Sequence, residues 1–117
     1  MQNQTTPYYA VIFTSVRTKD TDGYEEMAEK MVNLAQQQPG FLGMDSVYDN
    51  IGITISYWES MEAIKRWKQH TEHLVAQQKG KTQWYAWYKV RICKVVREYG
   101  AGNPVSAINT AGEEHIG

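Results

Sequence analysis

The sequence is poor in cysteine. Cys93 stands alone, so an internal disulfide is impossible, and no cysteine cluster exists to hold zinc or an iron–sulfur centre. Long apolar runs are missing as well, and none would span a bilayer. The N-terminus, MQNQTTPYY, lacks the charged and apolar regions of a signal peptide, so the expected location is the cytoplasm. Net charge is only −1, which argues against nucleic acid or an anionic membrane as a partner drawn by bulk electrostatics. No GxGxxG, Walker or GxSxG pattern occurs, and Asn50-Ile51-Gly52 is too short for a phosphate loop. Nothing points to a nucleotide or flavin cofactor. Phenylalanine is scarce: two, against eight Tyr and four Trp. The aromatic content is therefore mostly of the kind that joins a polar handle to an apolar body, common in pockets and interfaces.

What is present fits one soluble globular domain. The chain has 117 residues, 42% hydrophobic and 21% charged, a length that buries a modest core and gains from dimerisation. Residues 1–7 are expected to be disordered, 8–99 to form the domain, and 100–117 to be a loosely held tail. An arm crossing to a partner is the alternative for that tail.

YYAVIFTSVR, from Tyr8 to Arg17, is apolar on both faces up to Ser15, as a strand covered on both sides would be. Asp20, Asp22 and Gly23 form a turn, and Asp22 with Glu25 suggests a capping box. A helix follows from about Gly23 to Gln38: Tyr24, Met27, Ala28, Met31, Leu34 and Ala35 recur at three- and four-residue steps. Pro39-Gly40 ends it. Phe41 to Tyr48 reads as a strand, with a tight turn at Asp49-Asn50 into a second strand, Ile51 to Trp58.

That strand runs into a second helix, Ser60 to about Gln78, with Ser60 as N-cap and Gly80 as its close. Ile64, Trp67, His70 and Leu74 read as one helical stripe, which sets an indole and an imidazole one turn apart. The last strand, Gln83 to Arg97, alternates: Trp84, Ala86, Tyr88, Val90, Ile92 and Val96 on one side, and Tyr85, Trp87, Lys89, Arg91, Cys93, Val95 and Arg97 on the other.

The order strand, helix, strand, strand, helix, strand is the α+β ferredoxin-like βαββαβ pattern: a four-stranded antiparallel sheet with helices on one face. Helices cover only one face, yet the first and last strands carry apolar or aromatic side chains on both. Two sheets packed face to face in a two-fold dimer would hide the spare surface.

QQPGFLGMDS, ITISYWESMEAIKRWKQHTEH and WYAWYKVRICKVVREYG together resemble the antibiotic biosynthesis monooxygenase domain proteins of the dimeric α+β barrel superfamily, over roughly residues 8 to 100. The resemblance implies a homodimeric barrel with a pocket in each subunit between sheet and helices. It implies a cofactor-independent monooxygenase in which a flat quinol- or phenol-type substrate itself supplies the electrons for dioxygen. A non-catalytic, small-ligand-binding or stress-related dimer is the alternative.

A haem-binding or haem-degrading relative is the third reading. That branch uses an Asn on the first strand, a Trp on the second helix and a His near the helix end. Trp67 matches; the first strand has no Asn, and the His position falls on Gln77. His70 or His73 would have to serve instead, so no cofactor is expected, with haem as the alternative.

Within the enzyme reading His70 is the candidate base and His73 the weaker one, since imidazole titrates near neutrality. Trp67, Tyr57, Ile64 and Leu74 are the candidate substrate-binding residues. A packed core is the competing role for Trp67 and Tyr57. HTEH lacks a third donor at an obvious spacing, so no metal site is expected. Cys93 is expected to be packed and inert, and Lys89, Arg91 and Arg97 to form a charged stripe.

Overall fold

A computed structural model describes residues 6–76 and 84–104. Six elements follow in order: β1 (Tyr8–Arg17), α1 (Tyr24–Gln36), β2 (Phe41–Asp49), β3 (Ile51–Trp58), α2 (Met61–Ala76) and β4 (Tyr85–Val95). The strands make one antiparallel sheet in the order β2-β3-β1-β4. This is the ferredoxin-like α+β arrangement expected from the element order. The expected helix end at Gln78–Gly80, the Gln83 start of the last strand, residues 1–5 and the tail beyond residue 104 lie outside the described residues.

Local chemistry explains most boundaries. The Ser60 hydroxyl accepts a hydrogen bond from the Ala63 amide at 3.1 Å, so one orphan donor of the first turn of α2 is satisfied. The start of α1 differs from expectation. Its N-cap is Gly23, at φ 83°, with no side-chain cap. Asp22 is held one step earlier, its amide donating to the Asp20 carboxylate at 3.2 Å, so no capping box forms. Glu25 and Glu26 still place negative charge in the first turn, where the helix dipole favours it. At the hairpin, Asn50 takes φ 67°, a conformation its short amide tolerates.

Gly40 links the two layers. It sits at φ 89°, and its carbonyl accepts the Glu59 amide at 2.8 Å. A Cβ there would stand 2.7 Å from the Ala63 Cβ, a buried atom on α2. Gly40→Ala therefore combines left-handed strain with a clash that α2 must move to relieve. We expect a stability loss of about 2–3 kcal/mol, read from the urea midpoint. A midpoint equal to that of the parent would show that α2 does not rest on this turn.

The core lies between the helices and one face of the sheet. Trp58, Ala63 and Ile64 form its centre, with Tyr9, Val11, Phe41 and Trp67 packed around them. Met27 and Ala35 are the buried residues of α1. The opposite face carries Ile12, Val16, Val47, Ile51, Ile53, Ile55 and Trp87, placed there by the strand register. Among them Val47 is 67% exposed.

Candidate active site

The helix side of the sheet is a continuous aromatic surface. β1 contributes Tyr9, Val11, Phe13, Ser15 and Arg17; register sets Trp58, Ser56 and Thr54 of β3 beside them on one flank and Lys94, Ile92, Val90 and Tyr88 of β4 on the other. At one end the Trp58 indole donates to the Ser56 hydroxyl at 2.8 Å. Its ring stacks on Trp67 of α2, with centroids 5.6 Å apart and planes at 28°, and Phe41 meets it edge-on at 5.4 Å. Further along, Phe13 stacks on Tyr88 at 5.5 Å and meets Tyr85 at 5.2 Å. Tyr88, Val90 and Ile92 of this same side are 59%, 47% and 48% exposed, so the wall beside the core is open along β4.

Tyr85 reaches this side because of an irregularity. Val16 pairs with Trp87 but Arg17 pairs with Tyr85, the register shifting between them. One extra residue in β4, Ala86, reverses the side-chain parity before it. The simple alternation expected for the last strand therefore holds only from Trp87 onward.

α2 presents fewer of its expected residues. Ile64 is buried, Trp67 and Leu74 are half-buried, and His70 is exposed. The inward stripe is Ile64, Trp67, Thr71 and Leu74, steps of three, four and three. At about 100° per residue, His70 falls some 80° to the side of the middle of that stripe. It stands on the flank of α2, one turn beyond Trp67. His73 is also exposed.

Tyr57 is a correction. Expected beside Trp67, it lies on the opposite face of the sheet, and its neighbour Trp58 takes the helix side. There the Tyr57 hydroxyl donates to Asp45 at 3.1 Å, and burial together with that carboxylate raises its pKa. Tyr8 donates to Glu98 at 2.8 Å and meets the Tyr57 ring at 6.2 Å. The Glu98 hydrogen bond, with burial, pushes the Tyr8 hydroxyl up to about 12. Leu42 completes a shallow cavity of about 290 Å³ with these residues. Both hydroxyls are held protonated donors, so neither is a base near neutrality. Cys93, expected to be packed, is exposed on the same face.

Reasoning from sequence also missed Arg17. Its guanidinium carbon lies 4.1 Å from the Tyr24 ring centroid and 3.8 Å from that of Tyr48. Its Nε is buried without a hydrogen-bond partner, which costs on the order of 1–3 kcal/mol. The available signal was parity: Arg17 shares a strand face with Tyr9, Val11 and Phe13.

Among the described residues no group of three metal-ligating side chains converges, and no helix is long and apolar enough to cross a membrane. The described residues match the pattern of the haem-degrading branch at Trp67 alone. β1 offers no Asn, the Gln77 position lies outside the described residues, and His70 and His73 are both exposed on α2.

The family model described as antibiotic biosynthesis monooxygenase matches residues 7–79. The uncharacterized protein YqjZ of Bacillus subtilis (strain 168) is 56% identical over 94 residues, 79% of this chain and 82% of YqjZ. A mutant of SnoaB, a cofactor-independent oxygenase from Streptomyces nogalater, superimposes with a TM-score of 0.62 at 11% identity, over 79% of this chain and 95% of SnoaB. A mutant of MhuD carrying two manganese protoporphyrin IX per active site superimposes with a TM-score of 0.60 at 17% identity, over 80% of this chain and 99% of MhuD. At such identities the structural likeness is one of fold.

Proposed function

Because the chain belongs to the antibiotic biosynthesis monooxygenase family, we propose that it is a monooxygenase that oxidises a flat phenol- or quinol-type molecule without a resident cofactor. The observation that carries this reading is the wall beneath α2. The Trp58–Trp67 stack continues into Phe13, Tyr88, Val90 and Ile92, which is apolar, aromatic and open along one side. A planar ring lies well against such a surface.

The chemistry asked of the protein is modest. His70, exposed on the flank of α2 one turn beyond Trp67, is the group we assign to removing the phenolic proton. The electron-rich ring then reduces dioxygen: the ring C–H para to the hydroxyl and the phenolic C–O both become C=O of a quinone, one oxygen atom enters the ring and the other leaves as water. All four electrons come from the substrate. Trp67 and Ile64 shape the wall and Leu74 lies farther along α2; Tyr57 has no part in it.

The test is oxygen uptake across a panel of quinols and naphthols. His70→Ala is expected to lower kcat about a hundredfold, as loss of a general base does. Unchanged turnover in this variant would overturn the assignment of the base. No uptake with any of the panel would favour the non-catalytic binding role. We further infer that the protein works as a homodimer joined through the helix-free face, supported by the exposed Val47, Ile51, Ile53 and Trp87 on it.

A further inference from the structure

The helix-side wall ends at a cation. Arg17 lies between two tyrosine rings, and among the described residues the only ion pair is Lys68–Glu72. Among the described residues no carboxylate pairs with Arg17, and its Nε–H has no acceptor. Two tyrosine rings lie about 4 Å from the guanidinium carbon, so what the group offers a ligand is its fork of N–H donors. That fork matches the plane of an oxyanion with two oxygens.

A second donor stands beside it. The Tyr85 hydroxyl donates to the Tyr24 hydroxyl at 3.2 Å, which leaves the Tyr24 proton for another acceptor. Arg17 acts electrostatically on Tyr85, so the three groups share one corner. Phe13 and the exposed Tyr88 ring lead from the open wall to this corner through Tyr85.

We propose that Arg17 and Tyr24 bind the oxyanion of a flat aromatic ligand, a carboxylate or a phenolate, whose ring lies on Phe13 and Tyr88. Arg17 is then a specificity-determining residue that selects anionic substrates over neutral ones. This rests on the helix side being the ligand side, as in the proposed oxygenase. The competing role is a clamp: Arg17 merely ties α1 and the hairpin to β1 through its two rings.

Calorimetric titration of the full chain separates the two roles. The probes are naphthoate, its neutral isostere naphthamide, and para-nitrophenolate above its pKa. The parent is expected to bind naphthoate about tenfold or more tighter than naphthamide. Arg17→Met should remove that preference and leave naphthamide affinity within about twofold. Tyr24→Phe keeps the ring over Arg17 and should lose only a few-fold on naphthoate. If Arg17→Met does not fold, Tyr24→Phe and the naphthoate–naphthamide ratio of the parent still decide the matter. The tighter of naphthoate and para-nitrophenolate identifies which oxyanion the corner prefers. Equal affinities for naphthoate and naphthamide in the parent, or parallel weakening of both in Arg17→Met, would overturn the proposal. Arg17-dependent naphthoate binding without oxygen uptake would leave the anion site standing and sink only the oxygenase.

Discussion

Replacing Trp58 with Ala is expected to cost about 3–5 kcal/mol of stability at fixed protein concentration. Trp58 is the one fully buried large side chain among the described residues. It touches both layers: Phe41 edge-on, Trp67 stacked, and Ala63 and Ile64 of α2 around it. Truncation leaves a cavity at the point where α2 meets the sheet, and removes the donor that the buried Ser56 hydroxyl accepts. The two contributions can be separated. Trp58→Phe keeps an aromatic ring but still loses the Ser56 partner, so it should fall by about 2 kcal/mol; adding Ser56→Ala should return part of that. Trp67→Ala, on a half-buried ring, should cost less than Trp58→Ala. Urea denaturation measures all four variants. A loss below about 1 kcal/mol for Trp58→Ala would mean that the helix layer is anchored elsewhere. The functional corollary is that Trp67 loses the surface it stacks on, so the proposed ligand wall is disordered along with the core.

Which parts of this arrangement could be read in advance follows from what periodicity reports. Alternation of two and three-to-four residues marks the element order, and Ser60 before an apolar helix marks a cap. Periodicity along Ile51–Trp58 also separates Tyr57 from Trp58. It does not say which side meets the helices, because Ile53 and Ile55 are apolar for a different reason: they belong to the helix-free face. An apolar residue marks a covered face, not the element that covers it. His70 illustrates a finer limit. Steps of three, three and four look like a stripe, but successive steps of three drift around the helix, and Thr71 takes the inward place instead. Two further features are invisible to pattern reading because they are local backbone events. Gly23 at φ 83° displaces the capping box, and the extra residue Ala86 turns Tyr85 towards Phe13 and Tyr24. That last event brings Tyr85 beside Tyr24 and Arg17, which is why no spacing rule would have assembled the corner.

In solution the protein is expected to be a dimer of about 27 kDa, twice the 13.5 kDa of one chain, and Ile53→Glu is expected to return it to 13.5 kDa. The helix-free face is apolar at its centre, through Ile12, Ile53 and Ile55, and charged at its edges. Asp45 and Asp49 lie along the β2 edge; Lys89 and Arg91 lie along the β4 edge. A two-fold axis parallel to the strands would set each acidic edge over a basic one while burying the centre. Ile53 is 37% exposed in the single chain, so a carboxylate there costs the isolated fold little. At a sheet-to-sheet interface it buries an unpaired charge on each side of the axis, which should weaken association by about a hundredfold or more. Val32→Glu is the matching control, since Val32 is comparably exposed but lies on α1, away from this face. Sedimentation velocity of the three proteins discriminates the outcomes. A monomeric parent at micromolar concentration, or a dimer that survives Ile53→Glu but not Val32→Glu, would mean that the sheet face is covered in some other way and that association runs through the helix layer.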